Sequence, residues 1–172
     1  MSEKTMRKIL VIGCPGSGKT TFATALHEKT GIPLHHLDML FWNADKTTVE
    51  KSVFKERLAR VMETDAWIID GNYSSTMELR LAACDTVFFL DLPTDVCLDG
   101  VRARRGKARR DMPWIETEED IEFTNFIKAF REKTRPEILS FLDRYREKNI
   151  IVFQSREQSE EFLKGEYKTW DI

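Results

Sequence analysis

The chain has 172 residues, of which 41% are hydrophobic and 33% are charged, and this length and composition predict a single domain spanning residues 1–172. Its 27 basic and 29 acidic side chains nearly balance, which excludes a global field that attracts nucleic acid or anionic membranes. No apolar run approaches the ~20 residues of a membrane span and the N-terminus has no signal-peptide pattern, so we expect a cytoplasmic protein.

The first half of the chain alternates short apolar runs with helical patterns. Residues 8–12 indicate a buried strand, a glycine-rich loop follows, and the apolar spacing predicts a helix over residues 20–29. A second predicted strand, residues 34–37, ends at Asp38, and residues 53–62 form a second predicted helix.

The second half continues this alternation around a basic segment. Three apolar runs indicate strands, and the first two of them end in an acid. Helical spacing with a kink or break at Pro136 indicates one or two helices, and Ser155 with Gln158 resembles a capping box. The predicted strands are residues 66–69, 86–90 and 150–153, and the predicted helical segments are residues 95–104, 118–147 and 155–164.

The glycine-rich loop, residues 13–20 (GCPGSGKT), matches the Walker A pattern G-x-x-x-x-G-K-[ST] between a predicted strand and a predicted helix. In that pattern backbone N–H groups and the helix N-terminus bind phosphate, Lys19 reaches the terminal phosphates, and the Thr20 hydroxyl is a ligand of Mg²⁺. We therefore predict ATP and Mg²⁺ as cofactors. The predicted binding residues are Gly13, Pro15, Gly16, Ser17, Gly18, Lys19, Thr20 and Thr21.

The predicted strands are apolar throughout and do not alternate between apolar and polar residues, which is typical of a parallel sheet covered by helices. We predict a three-layer α/β P-loop NTPase fold with a five-stranded parallel sheet, helices on both faces and an arginine-rich lid. Ligands in such folds bind beyond the carboxyl ends of the strands.

Asp38, Asp70 and Asp91 each follow a predicted strand, where phosphoryl-transfer enzymes place a metal-side carboxylate. We favour Asp38 as a ligand of Mg²⁺ or as the group that orients the acceptor. Asp70 and Asp91 are equally well explained as residues that hold the following turns. Phe41 and Trp42 either wall an acceptor pocket or belong to the core.

Residues 102–110 (RARRGKARR) hold six cations and no acid. A basic run alone is usually a solvated surface or a nucleic-acid patch. Beside an ATP loop it predicts a lid, about residues 102–116, that closes over the nucleotide, balances the charge of the transition state and expels water. The predicted catalytic residues are Lys19, Asp38, Arg104, Arg105 and Arg109.

The combined pattern resembles the adenylate-kinase-like branch of P-loop kinases, and within it the bacterial proteins labelled DNA topology modulation proteins. The resemblance rests on residues 8–23, 34–43 and 67–93, and more loosely on the basic lid. It implies a three-layer α/β fold, an acceptor region after the second strand and an arginine-bearing lid. The topology label implies little for a chain without a nucleic-acid motif, so nucleic acid is not expected as a partner.

The acceptor region departs from the pattern of this family. In adenylate kinases the third strand leads to Asp-Gly-Phe-Pro-Arg, which is similar to residues 70–74 (DGNYS). The arginine that would grip nucleotide phosphates is replaced by Ser74, which argues against AMP as the acceptor, and Arg80 is a candidate substitute. The acceptor pocket predicted in this way comprises Asp38, Phe41, Trp42, Gly71, Asn72, Tyr73 and Arg80.

At the start of the lid, Gly100 stands where the family pattern has an arginine that stacks on adenine, which leaves Arg102 or Arg105 for that contact. The sequence as a whole predicts a monomeric or homodimeric ATP-dependent phosphotransferase with a small molecule, nucleoside or nucleotide as acceptor. Two alternatives stay open: an ATP-binding regulator whose residues 102–110 contact nucleic acid, and a nucleoside triphosphatase that uses water.

Overall fold

The computed structural model describes residues 6–165, which form an α/β fold around one sheet. The sheet has five strands, all parallel, in the order β2-β3-β1-β4-β5. This arrangement confirms the predicted fold class. The strands are β1 (Lys8–Gly13), β2 (Leu34–His36), β3 (Trp67–Asp70), β4 (Thr86–Leu90) and β5 (Asn149–Phe153).

Helices connect the strands and cover the sheet. They are α1 (Lys19–Thr30), α2 (Leu37–Phe41), α3 (Lys51–Met62), α4 (Ser74–Ala83), α5 (Thr94–Arg104), α6 (Ile121–Lys133), α7 (Arg135–Arg144) and α8 (Arg156–Lys164). Within residues 6–165 no helix has the length and apolar content that crossing a bilayer requires.

The central strand β1 contains an unbroken apolar run. Ile9, Leu10, Val11 and Ile12 are fully buried, because helices cover both faces of the sheet and an apolar run without alternation satisfies both. The strand order reverses around β1, and the phosphate loop starts at its carboxyl end. Such a reversal opens a crevice at the strand ends, where ligands bind in open α/β sheets.

Two predicted boundaries have a clear physical basis. Pro136 does not kink a continuous helix but lies in the first turn of α7, directly after α6 ends at Lys133, where its missing N–H is tolerated. Ser155 caps α8 by accepting a hydrogen bond from the Gln158 N–H. The Gln158 side chain reaches back to the N–H of Gln154 at 2.7 Å, one residue earlier than in a standard capping box.

Two helices were not predicted from the sequence, the short α2 and the longer α4. Helix α4 begins with three hydroxyl residues (Ser74, Ser75 and Thr76), a residue type that favours turns and caps over helix interiors. Met77 and Leu81 are the apolar residues of α4 that are buried in the core. Residues 105–120, which contain most of the predicted lid, form turns and irregular structure.

Candidate functional site

The phosphate loop runs from the end of β1 to the start of α1, as predicted. Gly16 and Gly18 have φ of 81° and 98°, in the left-handed region that glycine adopts without strain. Gly16 also packs so closely on α5 that an added Cβ would lie 2.0 Å from the carbonyl oxygen of Cys97. The loop is therefore shaped both by its own backbone and by the helix behind it.

Lys19 folds back over this loop. Its Nζ donates to the carbonyl oxygens of Gly13 at 2.9 Å and Cys14 at 3.2 Å. Burial lowers the pKa of Lys19, while the negative charge of Asp70 acts in the opposite direction. The Ser17 hydroxyl in the same loop is buried without a hydrogen-bond partner. Of these two groups, the Lys19 ammonium belongs to a residue that lines the cavity described below, where an anion would bind.

Asn72 clamps the phosphate loop to the end of β3. Its Oδ1 accepts from the Gly13 N–H at 3.1 Å, and its Nδ2 donates to the Gly13 carbonyl at 2.6 Å. Gly71 precedes it with a φ of 126°, and an added Cβ there would lie 2.9 Å from the Cβ of Leu37. Asn72 lines the cavity described below, but its amide is already engaged in positioning the first loop residue.

Arg80 lies in a different place from the one expected of a phosphate-binding residue. It is fully buried and donates to the carbonyl oxygens of Gly71 at 3.0 Å, Asn72 and Tyr73 at 3.0 Å. Burial lowers its pKa to about 9. The guanidinium therefore holds the turn after β3 from behind, where Tyr73 has a φ of 34°, and does not line the cavity.

Asp38 lies in the first turn of α2 and faces the phosphate loop across the cavity. Its Oδ1 accepts a short hydrogen bond from the Tyr73 hydroxyl. Partial burial raises the pKa of Asp38, while the Tyr73 hydrogen bond and the charge of Lys19 oppose that shift. A carboxylate with a raised pKa beside a phosphate site is suited to accept a proton.

The other two strand-end acids have defined partners. Asp70 is 5% exposed and contacts Nδ1 of His36 at 2.7 Å. Burial by itself lowers the pKa of His36, but the hydrogen bond and charge of Asp70 outweigh it and raise the pKa. Asp91 accepts hydrogen bonds from the Arg135 guanidinium at 2.8 to 3.0 Å. Asp70 lines the cavity, whereas Asp91 ties the end of β4 to the start of α7.

Phe41 and Trp42 follow β2 and do not line the cavity described below. Phe41 packs edge-on against Tyr73 with ring centroids 5.1 Å apart and against Phe54 at 5.3 Å. Trp42 contacts Trp114 of the lid segment at 5.0 Å. Tyr73 lines the cavity, with Phe41 packed against it, and Trp42 joins this cluster to the lid.

A cavity of about 1000 Å³ joins these parts. One end is the phosphate loop and the other is the turn after β3, so most of the predicted donor and acceptor residues meet in one space. The donor end includes Lys19, Thr20, Arg104, Arg109, Arg110 and Arg156, and the acceptor end includes Asp38, Asp70, Gly71, Asn72, Tyr73 and Phe126.

The lid arginines divide into two groups. Arg104, Arg109 and Arg110 line the cavity, whereas Arg105, which was also predicted to be catalytic, does not. Burial lowers the pKa of Arg104, with a further contribution from the positive charge of Arg109. Nε of Arg104 and Nη1 of Arg109 are buried without a hydrogen-bond partner. Both guanidinium groups lie near carboxylates, Arg104 at 3.6 Å from Glu116 and Arg109 at 3.3 Å from Asp111, so the charge of this segment is partly balanced within the site.

Arg156 at the start of α8 was missed from the sequence. Its guanidinium donates to the carbonyl oxygens of Gly16 at 2.9 Å and Ser17 at 3.4 Å. It also approaches Gly100, where an added Cβ would lie 2.1 Å from the Gly16 carbonyl oxygen. The absence of a lid arginine at position 100 thus has a packing reason, because this part of α5 lies directly on the loop.

Asp111, also missed, accepts a hydrogen bond from the Thr20 hydroxyl at 2.9 Å. Among the described residues no three His, Cys, Asp or Glu side chains converge as a metal site. Mg²⁺ is usually held by one or two carboxylates together with substrate phosphates and water, and the contact between Thr20 and Asp111 brings a hydroxyl and a carboxylate together. Thr20, Asp38, Asp70, Asp99 and Asp111 are among the residues with side-chain oxygens that line the cavity.

The sheet order and the loop at its carboxyl edge define a P-loop nucleoside-triphosphate-binding fold. No family model and no curated protein matches this chain. The structure of a shikimate kinase from Bacteroides thetaiotaomicron is similar, with 24% identity, coverage of 93% of this chain and 95% of that chain, and a TM-score of 0.59. A shikimate kinase from Acinetobacter baumannii in complex with shikimate is 17% identical, with coverages of 94% and 93% and a TM-score of 0.60.

A sugar kinase from Janibacter sp. is also similar, with 16% identity, coverages of 92% and 91% and a TM-score of 0.54. The chain therefore has the fold of shikimate-kinase-like P-loop proteins over nearly its whole length. At these identities the likeness defines the fold and leaves the acceptor open. None of the comparisons supports the DNA topology modulation label.

Proposed function

We propose that this protein is a small-molecule kinase that transfers the γ-phosphoryl group of ATP to a hydroxyl group of its acceptor. The observation that carries this proposal is the continuous cavity lined both by the phosphate loop and by Asp38 and Tyr73. A triphosphatase needs only room for water beside the γ-phosphate, whereas a cavity of about 1000 Å³ leaves space for an organic acceptor.

The donor end supplies charge where phosphoryl transfer develops it. Bound Mg²⁺ would neutralise phosphate oxygens, with Thr20 as one ligand. Lys19 would exchange its two loop carbonyls for the terminal phosphates. Arg104 and Arg109 line the same cavity and would add positive charge at this end. A loose transition state is stabilised by such positioned charges rather than by covalent chemistry.

The acceptor end supplies orientation and a proton acceptor. The Tyr73 hydroxyl fixes one oxygen of the Asp38 carboxylate, which leaves the other oxygen for the acceptor hydroxyl. The raised pKa of Asp38 makes this carboxylate a better proton acceptor than an exposed aspartate. The bond formed is between the acceptor oxygen and the γ-phosphorus, the bond broken is between that phosphorus and ADP, and the proton passes to Asp38.

A second cavity of about 380 Å³ adjoins the acceptor end and shares Asn72, Tyr73 and Phe126 with the first. The rest of its lining is Ser74, Met77, Thr134, Glu137, Ile138 and Phe141. Among the described residues no lysine or arginine lines it, and Arg80 is engaged behind the turn. We infer an acceptor with an apolar or aromatic body that is neutral or cationic rather than phosphorylated.

The test uses γ-labelled ATP, the purified full chain and a library of hydroxyl metabolites. The proposal expects label on an organic product with the wild type, and loss of that label with Lys19→Ala and Asp38→Asn. Label that appears only as free phosphate supports the triphosphatase alternative, and equal labelling by wild type and Lys19→Ala contradicts the kinase.

The acceptor class has its own test with three probes that share a phenyl ring and a hydroxyl group. Phenylalaninol is cationic, 3-phenyl-1,2-propanediol is neutral and 3-phenyllactate is anionic. We expect the first two to be phosphorylated in preference to the third, and Glu137→Gln to remove a few-fold advantage of the cation, since an exposed charge contributes up to about 1 kcal/mol. A preference for 3-phenyllactate would contradict this acceptor class.

A further inference from the structure

Asp111 belongs to the lid segment, but it is buried and hydrogen-bonded, unlike a typical acidic residue on a protein surface. It is 8% exposed and accepts from the Thr20 hydroxyl at 2.9 Å through Oδ2. Its other oxygen, Oδ1, is buried without a hydrogen-bond partner and lies 3.3 Å from Nε of Arg109. A buried carboxylate is costly unless its oxygens are paired and hydrogen-bonded, and Oδ1 has the ion pair with Arg109 but no hydrogen bond.

The partner is suggested by the residue that Asp111 contacts. Thr20 is the hydroxyl that the phosphate-loop pattern assigns to Mg²⁺, and Asp111 lines the same cavity. The strand-end acids have other hydrogen-bond partners: Tyr73 for Asp38, His36 for Asp70 and Arg135 for Asp91. Asp111 is thus the carboxylate in direct contact with the metal-binding hydroxyl.

We propose that Asp111 is a carboxylate of the Mg²⁺ site, contributed by the lid rather than by the end of a strand. The inference rests on the nucleotide site of the proposed function and not on the identity of the acceptor. Carboxylate and hydroxyl oxygens are the hard ligands that Mg²⁺ prefers, and one or two carboxylates suffice when phosphates complete the shell.

The position of Asp111 gives the site a second property. Arg109, which pairs with Asp111 at 3.3 Å and with Glu116 at 3.7 Å, is one of the arginines that line the donor end. A metal ligand and a phosphate-facing cation therefore belong to the same short segment. Binding of Mg²⁺ through Asp111 would hold Arg109 beside the phosphates, so metal binding and lid position are coupled.

The experiment measures binding of the non-hydrolysable ATP analogue AMP-PNP by calorimetry, with Mg²⁺ or with EDTA, on the full chain. We expect Asp111→Asn to reduce the Mg²⁺-dependent gain in affinity by about 10- to 100-fold, the range seen when groups around a metal are altered. Affinity in EDTA should stay near the wild-type value or rise, because a negative charge beside the phosphates has been removed.

Asp99→Asn is the matched control, since Asp99 is an exposed acid that lines the same cavity and contacts Arg102 rather than Thr20. It should retain the wild-type gain. Asp111→Glu keeps the charge and should retain part of the gain, which separates a metal role from misfolding of the asparagine variant.

Two results with the Asp111→Asn variant would overturn the inference: an unchanged Mg²⁺ gain, or tighter Mg²⁺-nucleotide binding, which would make Asp111 a side chain that Mg²⁺ displaces from Thr20. A wild type without any Mg²⁺ gain would overturn it as well. Failure of the kinase proposal looks different, because absence of a labelled acceptor would leave these binding results unchanged.

Discussion

The substitution Gly100→Ala tests how closely α5 packs on the phosphate loop. An added Cβ would lie 2.1 Å from the Gly16 carbonyl oxygen, whereas ordinary contact begins at 3.4 Å. The shortfall of 1.3 Å is met by backbone rather than by the end of a flexible side chain. Either the loop or the helix must therefore move.

Two opposed effects set the size of the change. Alanine is favoured over glycine in a helix interior by about 0.8–1.0 kcal/mol, whereas overpacking of a close contact typically costs about 1–3 kcal/mol. We expect a net loss of up to about 2 kcal/mol, equivalent to a fall in Tm of about 4–8 °C for a chain of this size. Nucleotide affinity should fall as well, because Gly16 belongs to the loop that binds the phosphates.

Urea unfolding followed by circular dichroism measures the stability, and calorimetry with AMP-PNP measures the binding. Asp99→Ala is the control, because it changes the preceding position of the same helix, is exposed and has no such contact. Its stability should stay within about 0.5 kcal/mol of the wild type. A Gly100→Ala variant that is more stable than the wild type and binds nucleotide normally would refute the packing argument.

Three further predictions follow from contacts within the site. Asn72→Ala removes both hydrogen bonds to Gly13 and should lower the free energy of unfolding by about 1–3 kcal/mol in urea titrations, with weaker nucleotide binding; unchanged values in both would contradict the clamp. Arg80→Met leaves buried carbonyls unpaired and should cost about 3 kcal/mol or more; a variant of wild-type stability that lost only acceptor affinity would instead make Arg80 a substrate ligand. Because Asp70 raises the pKa of His36, their ion pair stabilises the fold fully below about pH 6.5, and this stabilisation is lost as the pH rises through the raised pKa. The difference in free energy of unfolding between wild type and His36→Asn should therefore narrow towards pH 9. A difference that widened would contradict a stabilising ion pair between His36 and Asp70.

Local features of the sequence were enough to predict the fold. Unbroken apolar runs specify strands buried on both faces, and residues 13–20 carry their conformation in their own glycines. The parallel sheet, the place of the loop between β1 and α1, and the break at Pro136 are confirmed for this reason. Helix α4 was missed because its polar first turn lacks the apolar spacing that identifies the others.

The partners within the site depend on contacts between distant parts of the chain. Thr20 and Asp111 are 91 residues apart, and Arg156 reaches Gly16 across 140. A charge pattern predicts that a segment is basic but does not say which member faces the cavity, so Arg105 was included and Arg110 omitted. Arg80 was predicted to bind phosphate, but it donates to three backbone carbonyls of the turn after β3. The sequence does not reveal the shape of this turn, so these partners could not be predicted.

The contact between Trp42 and Trp114 places two chromophores where α2 meets the predicted lid segment. One indole follows α2 beside the acceptor end and the other belongs to the segment that carries Arg109 and Asp111, with their ring centroids 5.0 Å apart. Separation of the two rings changes the surroundings of both chromophores, so intrinsic emission and near-ultraviolet circular dichroism should follow lid movement without any attached label. A spectral change on adding unlabelled nucleotides or candidate acceptors would then report movement of this segment.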